Sequence, residues 1–224
     1  MSKKVKITKR DIKEDKFAAF VFKAKDYVQK NWYYFAGGLA VIIIAAIAVS
    51  FINSGQTKSA AKADEIFARA QNQMRSRNYQ LAVVDFKEIV DDYGSSPHAQ
   101  AATFYLANSL FATNNFSEAK DMFERYISKY GNVDEFFTAS AMAGIAQCLV
   151  GLGQFDEGAR KYEEVAEKYP DLPLSGKYLM MAFKTYLNNN ELESARQVYD
   201  NFVQEYKRTE YYDEVQSLAT QYHI

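Results

Sequence analysis

A repeated pattern of aromatic and small side chains constrains this chain more than any other feature of its sequence. Four segments of about seventeen residues share it, and each carries a hydrophobic anchor at its second residue. These anchors are Tyr79, Phe116, Phe155 and Leu192. Successive anchors lie 37, 39 and 37 residues apart. A fixed period of this length is typical of stacked helical units.

The positions that follow each anchor repeat at helical spacing. Three residues on, the side chain is small: Ala82, Ala119, Gly158 and Ala195. Seven residues on, it is aromatic: Phe86, Phe123, Tyr162 and Tyr199. Eleven residues on it is apolar, and fourteen residues on it is always Tyr: Tyr93, Tyr130, Tyr169 and Tyr206. Steps of 3, 4, 4 and 3 predict one face of a helix.

A second apolar helix is predicted before each of these segments. The four predicted helices are Ala63–Arg75, His98–Thr113, Glu135–Leu152 and Gly176–Asn188. Nine residues before each anchor lie Ala70, Ala107, Ala146 and Phe183. A small residue there lets two paired helices approach closely. Asn-rich and Gly-rich dipeptides between the helices predict short turns.

This pattern resembles the tetratricopeptide repeat (TPR) family, whose unit is a helix–turn–helix of 34 residues. The resemblance covers residues 61–208 and implies an all-α, TPR-like superhelix. It implies four helix pairs over residues 62–208 and a capping helix over residues 209–224. The period of this chain is longer than the family's by three to five residues, and Phe183 replaces the small residue that the family places there.

The resemblance also implies that the first helix of each pair lines a groove for partner proteins. A polar line is carried by Gln71, Asn108, Gln147 and Lys184. A mostly apolar line is carried by Phe67, Phe104, Ala143 and Met180, and a third line by Met74, Phe111, Val150 and Leu187. Amides beside apolar pockets suit an extended peptide or an exposed helix. The alternative is that part of this surface packs against the array itself or its capping helix.

An uncharged stretch of 21 residues precedes the repeats. Residues 32–52 contain no charged side chain, and about 20 helical residues cross a ~30 Å hydrocarbon core. We therefore predict a single transmembrane helix over residues 31–53, which contacts the membrane through residues 32–52, and a linker over residues 54–61. The alternative of a cleaved signal peptide fits less well, because 30 residues precede the run and the run is longer than ~15 residues.

Charge is distributed unevenly about this stretch. Residues 1–30 hold ten Lys or Arg and four Asp or Glu, which gives +6, so the remainder carries −7 of the total of −1. The positive-inside rule then places the N-terminal tail in the cytoplasm and the repeats across the membrane. In a bacterium these are the inner membrane and the periplasm. Within the tail, Phe17, Phe20, Val21, Ala24 and Val28 are spaced as in an amphipathic helix, although a simple basic extension is an equal alternative.

The sequence offers no recognisable catalytic, metal or cofactor motif. Its two histidines, His98 and His223, lack partners at metal-ligand or triad spacing. Cys148 lies within an apolar helix and is interpreted as a core residue. An acidic repeat region argues against nucleic acid. We therefore expect a non-enzymatic protein without cofactor, metal or small-molecule substrate, whose partners are other proteins.

The layout of tail, anchor and repeats resembles one bacterial family in particular. In that family the protein is the ancillary subunit of the Sec translocon and acts as a periplasmic chaperone. Two alternatives remain at this point. One is an envelope-assembly scaffold of the Tol–Pal or outer-membrane assembly type. The other is an accessory subunit of a membrane enzyme complex.

Overall fold

The computed structural model describes the backbone of residues 9–224, and the side chains of residues 17–34, 36–47 and 59–224. Over this range every regular element is an α-helix. The helices are α1 (Lys9–Lys30), α2 (Trp32–Arg75), α3 (Tyr79–Asp92), α4 (Ala99–Ala112), α5 (Phe116–Tyr130), α6 (Glu135–Gly151), α7 (Phe155–Lys168), α8 (Ser175–Asn188), α9 (Leu192–Glu205) and α10 (Tyr212–Gln221). The chain divides into two units, Met1–Lys58 and Ser59–Ile224.

The second unit consists of four helix pairs followed by α10. The pairs are the end of α2 with α3, α4 with α5, α6 with α7, and α8 with α9. The eight predicted repeat helices are therefore confirmed. The predicted capping helix is present as α10, whose Val215 and Ala219 are buried in the same cluster as residues of α8 and α9.

The turn inside each pair has one backbone conformation. Two residues before each anchor, φ is positive: 60° at Arg77, 62° at Asn114, 79° at Gly153 and 59° at Asn190. The next residue donates its N–H to a carbonyl five residues back, as in Asn78 N to Gln73 O at 2.9 Å. This is the bond of a Schellman C-cap, which ends a helix in the left-handed region. The end of α10 repeats it at His223 and Ile224, so α10 ends like the first helix of a pair.

The buried stripe of the second helices differs from the predicted one. The residues ten after each anchor are at most 1% exposed: Ile89, Tyr126, Val165 and Phe202. The predicted face included positions eleven and fourteen after the anchor rather than position ten. The tyrosines at position fourteen lie at helix ends, and three of the four are half-buried. Because a helix turns every 3.6 residues, positions three, seven and ten share a narrower arc than three, eleven and fourteen.

The fourth pair shows the consequence of the bulky Phe183. This ring is fully buried, and it lies 6.1 Å from the ring of Tyr199. Tyr199 is only half-buried, whereas its neighbour Val198 is 1% exposed. A large residue where the other pairs have alanine thus goes with a second helix that buries Val198 in place of Tyr199.

Residues 54–61 are helical, although the sequence led us to expect a linker there. α2 continues from Trp32 to Arg75 without a break. Its stretch Ser59-Ala60-Ala61-Lys62-Ala63 is rich in good helix formers, and no proline interrupts it. One glycine, Gly55, is too weak a signal to end a helix on its own.

The first unit contains α1 and the start of α2. The predicted transmembrane segment, 31–53, is helical from Trp32 onward, and its side chains at 48–53 lie outside the described residues. Within the described residues no single helix is both long and apolar enough to cross a membrane. The segments Phe17–Lys30 and Trp32–Ile47 meet that criterion together, and they are bent by 71° relative to each other.

Candidate functional site: the face of the first helices

The first helices of the two central pairs carry very little charge. α4 has no charged residue at all, and α6 has Glu135 alone. In contrast, the second helices are highly charged, and α7 has eight Asp, Glu, Lys or Arg residues in fourteen. We call the exposed side of α2 (from Ser59), α4, α6 and α8 the first-helix face. The centre of this face, formed by α4 and α6, is nearly uncharged, which favours contacts with apolar side chains and peptide backbone.

Phe104 is the centre of an aromatic cluster on this face. Its ring centroid lies 5.4 Å from those of Tyr126 and Phe137 and 6.0 Å from those of Tyr105 and Phe123. Beside it is a cleft of about 280 Å³, whose lining includes Pro97, Gln100, Val133 and Asp134. We call this the Phe104 cleft. Its size and lining suit one or two large apolar side chains.

The start of α6 builds one wall of the Phe104 cleft. The Asp134 side chain accepts a hydrogen bond from the backbone N–H of Phe137 at 3.1 Å, which caps the helix. The cap places Phe136 and Phe137 in the first turn, where they are 43% and 38% exposed. On the opposite wall Gln100 donates to the Tyr126 hydroxyl at 3.1 Å, and burial raises the pKa of Tyr126. Two fixed aromatic rings thus border an accessible space.

A second, smaller cleft lies on the first pair. Its volume is about 230 Å³, and it is lined by Gln71, Met74, Arg75 and Tyr105. The predicted site residues Gln71 and Met74 therefore do line a common depression. Phe67 lies nearby and stacks on His98 with ring centroids 4.4 Å apart and an angle of 10° between the planes.

The predicted polar line is only partly available for binding. Asn108 donates to the carbonyl of Phe104 in its own helix at 2.8 Å, which uses one of its N–H groups. Gln147 is exposed, and its hydrogen bond to the Tyr162 hydroxyl partly offsets the burial that raises the pKa of that tyrosine. Gln71 is half-buried in the smaller cleft.

The third predicted line is half-buried over the first three pairs. Met74, Phe111 and Val150 each have one side against their own pair. The Phe111 ring lies 5.4 Å from that of Phe116 at the start of α5. Val150 packs over Gly158 so closely that an added Cβ there would lie 2.7 Å from it. Phe111 and Val150 therefore contribute edges rather than open pockets, whereas Met74 lines the smaller cleft.

The C-terminal part of the predicted groove is covered, which corrects the prediction for Met180 and Leu187. Both are 5% exposed and belong to the buried cluster that contains Val215 and Ala219 of α10. Lys184 forms an ion pair with Glu214, also of α10. Ala143 is likewise buried. The capping helix therefore occupies this end, as the alternative reading of the sequence had allowed.

Several residues of the site were missed from the sequence. Tyr105, Tyr126, Val133 and Phe137 line the Phe104 cleft, and none of them lies on the three predicted lines. The cleft forms between neighbouring pairs, whereas the predicted lines follow single helices. The available signal was Phe136-Phe137 directly after the helix-capping residue Asp134, because two large rings in a first turn seldom both face a core.

The remaining polar groups support no catalytic arrangement among the described residues. His98 does have a carboxylate partner, Asp64, at 2.8 Å from its Nε2 atom, which the sequence did not reveal because the two residues lie on different first helices. Cys148 is buried, and burial raises its pKa to about 12. No group of three His, Cys, Asp or Glu is placed to hold a metal in the described part of the chain.

Paired helices, capped turns and a first-helix face with a nearly uncharged centre define a helical-repeat scaffold of the kind that binds other proteins. The chain belongs to the tetratricopeptide repeat-like domain family, whose model matches residues 25–216. No curated protein matches it.

Two solved structures of nearly identical TPR-like repeats, described as a kinesin light chain of Podosopora anserina, resemble this fold. Both have a TM-score of 0.52 and 15% sequence identity to this chain. The alignments cover 63% of this chain, and 74% and 73% of theirs. At this identity the likeness establishes the fold alone.

Proposed function

We propose that this chain is a membrane-anchored interaction module that binds apolar segments of other proteins at the Phe104 cleft. On this proposal the chain spans the inner membrane of a bacterium. Its repeats act in the periplasm as a chaperone or ancillary subunit at the Sec translocon. The basic tail stays in the cytoplasm, and the repeats hold chains that emerge from the channel. The observation that carries the proposal is the open, mostly apolar cleft beside Phe104, in which Asp134 is the one charged lining residue among those described.

The cleft supports a chaperone role through the kind of ligand it admits. Its walls are rigid aromatic rings, with Phe104 held by four neighbouring rings and Phe137 fixed by the capped start of α6. Such walls accept large apolar side chains of different shapes, since ring contacts are not directional like hydrogen bonds. Because few charged side chains lie near the cleft, it should discriminate little between ligands by their charge. A broad set of unfolded, apolar segments fits this surface better than one charged motif.

The sequence supports the anchor and its orientation. Residues 32–52 are uncharged, and Trp32, Tyr33 and Tyr34 stand at the end nearer the basic tail, where such rings favour the membrane interface. Ten basic residues precede the segment, whereas Lys58 and Lys62 are the basic residues among the first ten or so that follow it. The charge difference favours a cytoplasmic N-terminus.

Photo-crosslinking in cells tests both parts of the proposal. A photoreactive residue is placed at Phe104 in one strain and at Ile44 in another, and the crosslinked proteins are identified by mass spectrometry. We expect many different secreted proteins from Phe104 and translocon subunits from Ile44. A matched control at Met180, which is buried, should give few crosslinks.

Other outcomes separate the alternatives. One defined partner at both positions, without secreted clients, would make the chain a dedicated scaffold or an accessory subunit of a membrane complex. Crosslinks from Phe104 that are confined to outer-membrane assembly or Tol–Pal proteins would favour an envelope-assembly scaffold. In either case the translocon assignment would fail.

A further inference from the structure

α1 exposes a band of apolar side chains that do not line the Phe104 cleft. Phe17 and Phe20 are 70% and 68% exposed, and Val21 and Val28 are each 46% exposed. With ~100° of rotation per residue, these four and Ala24 fall within an arc of about 100°. Phe22, which is also 66% exposed, lies about 140° from Phe17 and so outside this band. The band itself needs an apolar surface on one side of the helix.

Lysines border this band on both sides. Lys25 follows the band at one edge, and Lys23 and Lys30 lie beyond Phe20 at the other edge, when the helix is viewed along its axis. Asp26 points away from the centre of the band. Lysine stems can lie along apolar surface while the ammonium groups reach the polar layer above it. This order of apolar band, flanking cations and opposite acid is typical of helices that lie in a membrane interface.

The geometry after α1 agrees with such a position. The segments Phe17–Lys30 and Trp32–Ile47 are bent by 71° at Asn31. The backbone N–H of Asn31 donates to the carbonyl of Tyr27 at 3.0 Å in the last helical bond of α1, and its side-chain Nδ2 donates to the same carbonyl at 2.9 Å. If the second segment runs along the bilayer normal, α1 lies within about 20° of the membrane plane. Trp32 then stands at the headgroup level, where indole rings are favoured.

We propose that α1 binds the surface of an anionic lipid bilayer as an interfacial helix. Phe17, Phe20, Val21 and Val28 enter the boundary between headgroups and acyl chains, and Lys23, Lys25 and Lys30 contact the lipid phosphates. The inference rests on the proposed membrane anchor. The lipid surface is the occupant because the apolar band leads directly into an uncharged segment, and because the flanking charge is positive.

Spin-label accessibility in the full-length chain tests the proposal. Single cysteines replace Ala24 within the band, Asp26 on the opposite side, or Ile44 in the anchor, each in a Cys148→Ser background. The labelled proteins are reconstituted in vesicles of phosphatidylcholine alone or mixed with phosphatidylglycerol. Collision rates with oxygen, which enters lipid, and with a water-soluble nickel chelate are then measured.

We expect the ratio of oxygen to nickel collisions to be several-fold higher at position 24 than at position 26 in the anionic vesicles. In phosphatidylcholine alone this difference should shrink. The triple variant Lys23→Gln, Lys25→Gln and Lys30→Gln should reduce the dependence on anionic lipid, since each lysine strengthens attraction to such a surface roughly fivefold. Part of the dependence should remain, because seven basic residues precede the band.

Three results would overturn the inference. Equal exposure of positions 24 and 26 to the nickel chelate would leave α1 in water. Equal protection of both would make α1 part of a broken span across the bilayer. Insertion that ignores lipid charge would remove the role of the lysines. Position 44 separates these results from a failure of the anchor, because it should be inaccessible to nickel whether or not α1 binds.

Discussion

The first two helix pairs and the last two have the same turns, yet they differ in what their first helices expose. In the N-terminal half Phe104 and Met74 line open clefts, the first of which is closed on one side by Phe137 at the start of α6. In the C-terminal half the equivalent positions Met180 and Leu187 are buried in the cluster that contains residues of α10. The repeat therefore sets the backbone, and the neighbouring first helix decides whether a groove position can bind a partner.

α6 is the junction of the two halves. Ala141, Ile145 and Cys148 belong to the N-terminal core cluster, whereas Met142 and Ala146 belong to the C-terminal one. A helix that packs on both sides is apolar nearly all round, which explains why α6 carries a single charged residue. Substitutions of buried and of exposed side chains beside α6 should therefore separate effects on the free energy of unfolding from effects on binding at the Phe104 cleft.

Removal of the Phe123 ring should have the largest effect. This side chain is 2% exposed, and it lies so close to Gly144 that a Cβ added there would be 2.5 Å from its ring. Phe123→Ala is expected to lower the free energy of unfolding by about 3–5 kcal/mol, the usual cost of a large cavity. Urea unfolding followed by circular dichroism measures it.

The control for this prediction is Phe136→Ala. Phe136 is an exposed ring on the same junction, so its loss should change the free energy of unfolding by no more than about 0.5 kcal/mol. If both substitutions lowered the free energy of unfolding equally, Phe136 would be packed as deeply as Phe123, which would contradict the structure.

Phe137 should matter for binding more than for folding. Phe137→Ala removes a partly exposed wall of the Phe104 cleft, and loss of an aromatic contact at the centre of an interface typically costs about 2 kcal/mol of binding. We expect affinity for an unfolded secreted protein to fall by tenfold or more, measured by fluorescence anisotropy. Leu192 is an exposed apolar residue of the C-terminal half, and Leu192→Ala should leave the affinity unchanged. A larger loss of affinity from Leu192→Ala than from Phe137→Ala would place the site elsewhere.

Glu163 provides a pH test of the C-terminal half. Burial raises the pKa of this carboxyl above its ordinary value of 4.5, and the hydrogen bond from Tyr186 at 2.8 Å partly offsets the shift. With the folded pKa above the unfolded one, the fold is favoured by this group in acid and loses that contribution as the pH rises through the folded pKa. Glu163→Gln should therefore stabilise the fold at pH 7.

The gain from Glu163→Gln should disappear below about pH 4, where the carboxyl is protonated in both states. Thermal unfolding across this pH range measures it. Glu164→Gln serves as the control, since it removes only a surface ion pair with Lys161. A stabilisation by Glu163→Gln that persists undiminished in acid would show that charge burial is not its cause.

The ion pair that links α8 to α10 should have the smallest effect. Lys184 and Glu214 are both partly exposed, and exposed pairs contribute about 0–1 kcal/mol. Glu214→Gln should therefore leave the melting temperature nearly unchanged. It should also leave the C-terminal half closed to partners, because Val215 and Ala219 hold α10 by apolar burial. New crosslinks from Lys184 in this variant would assign the closure to the ion pair instead.

The repeat helices could be predicted from the sequence because small and aromatic residues recur at helical spacing in each copy. The Phe104 cleft could not, since it depends on Tyr126 and Phe137, which come from different pairs and meet only after stacking. The covered C-terminal end also depends on tertiary packing, because nothing in Met180 or Leu187 itself distinguishes a groove residue from a core residue. Residues 54–61 are helical rather than a linker because they contain no proline, and Gly55 alone does not end a helix.

Hydrogen–deuterium exchange tests the central claim most directly, which is that the N-terminal half binds and the C-terminal half does not. Exchange of the full-length chain is compared with and without a permanently unfolded secreted protein. The account predicts slower exchange at the start of α4 and the start of α6, around Gln100 and Phe137, with no change across α8 and α10. Protection confined to α8 and α10, or to the charged second helices, would contradict it.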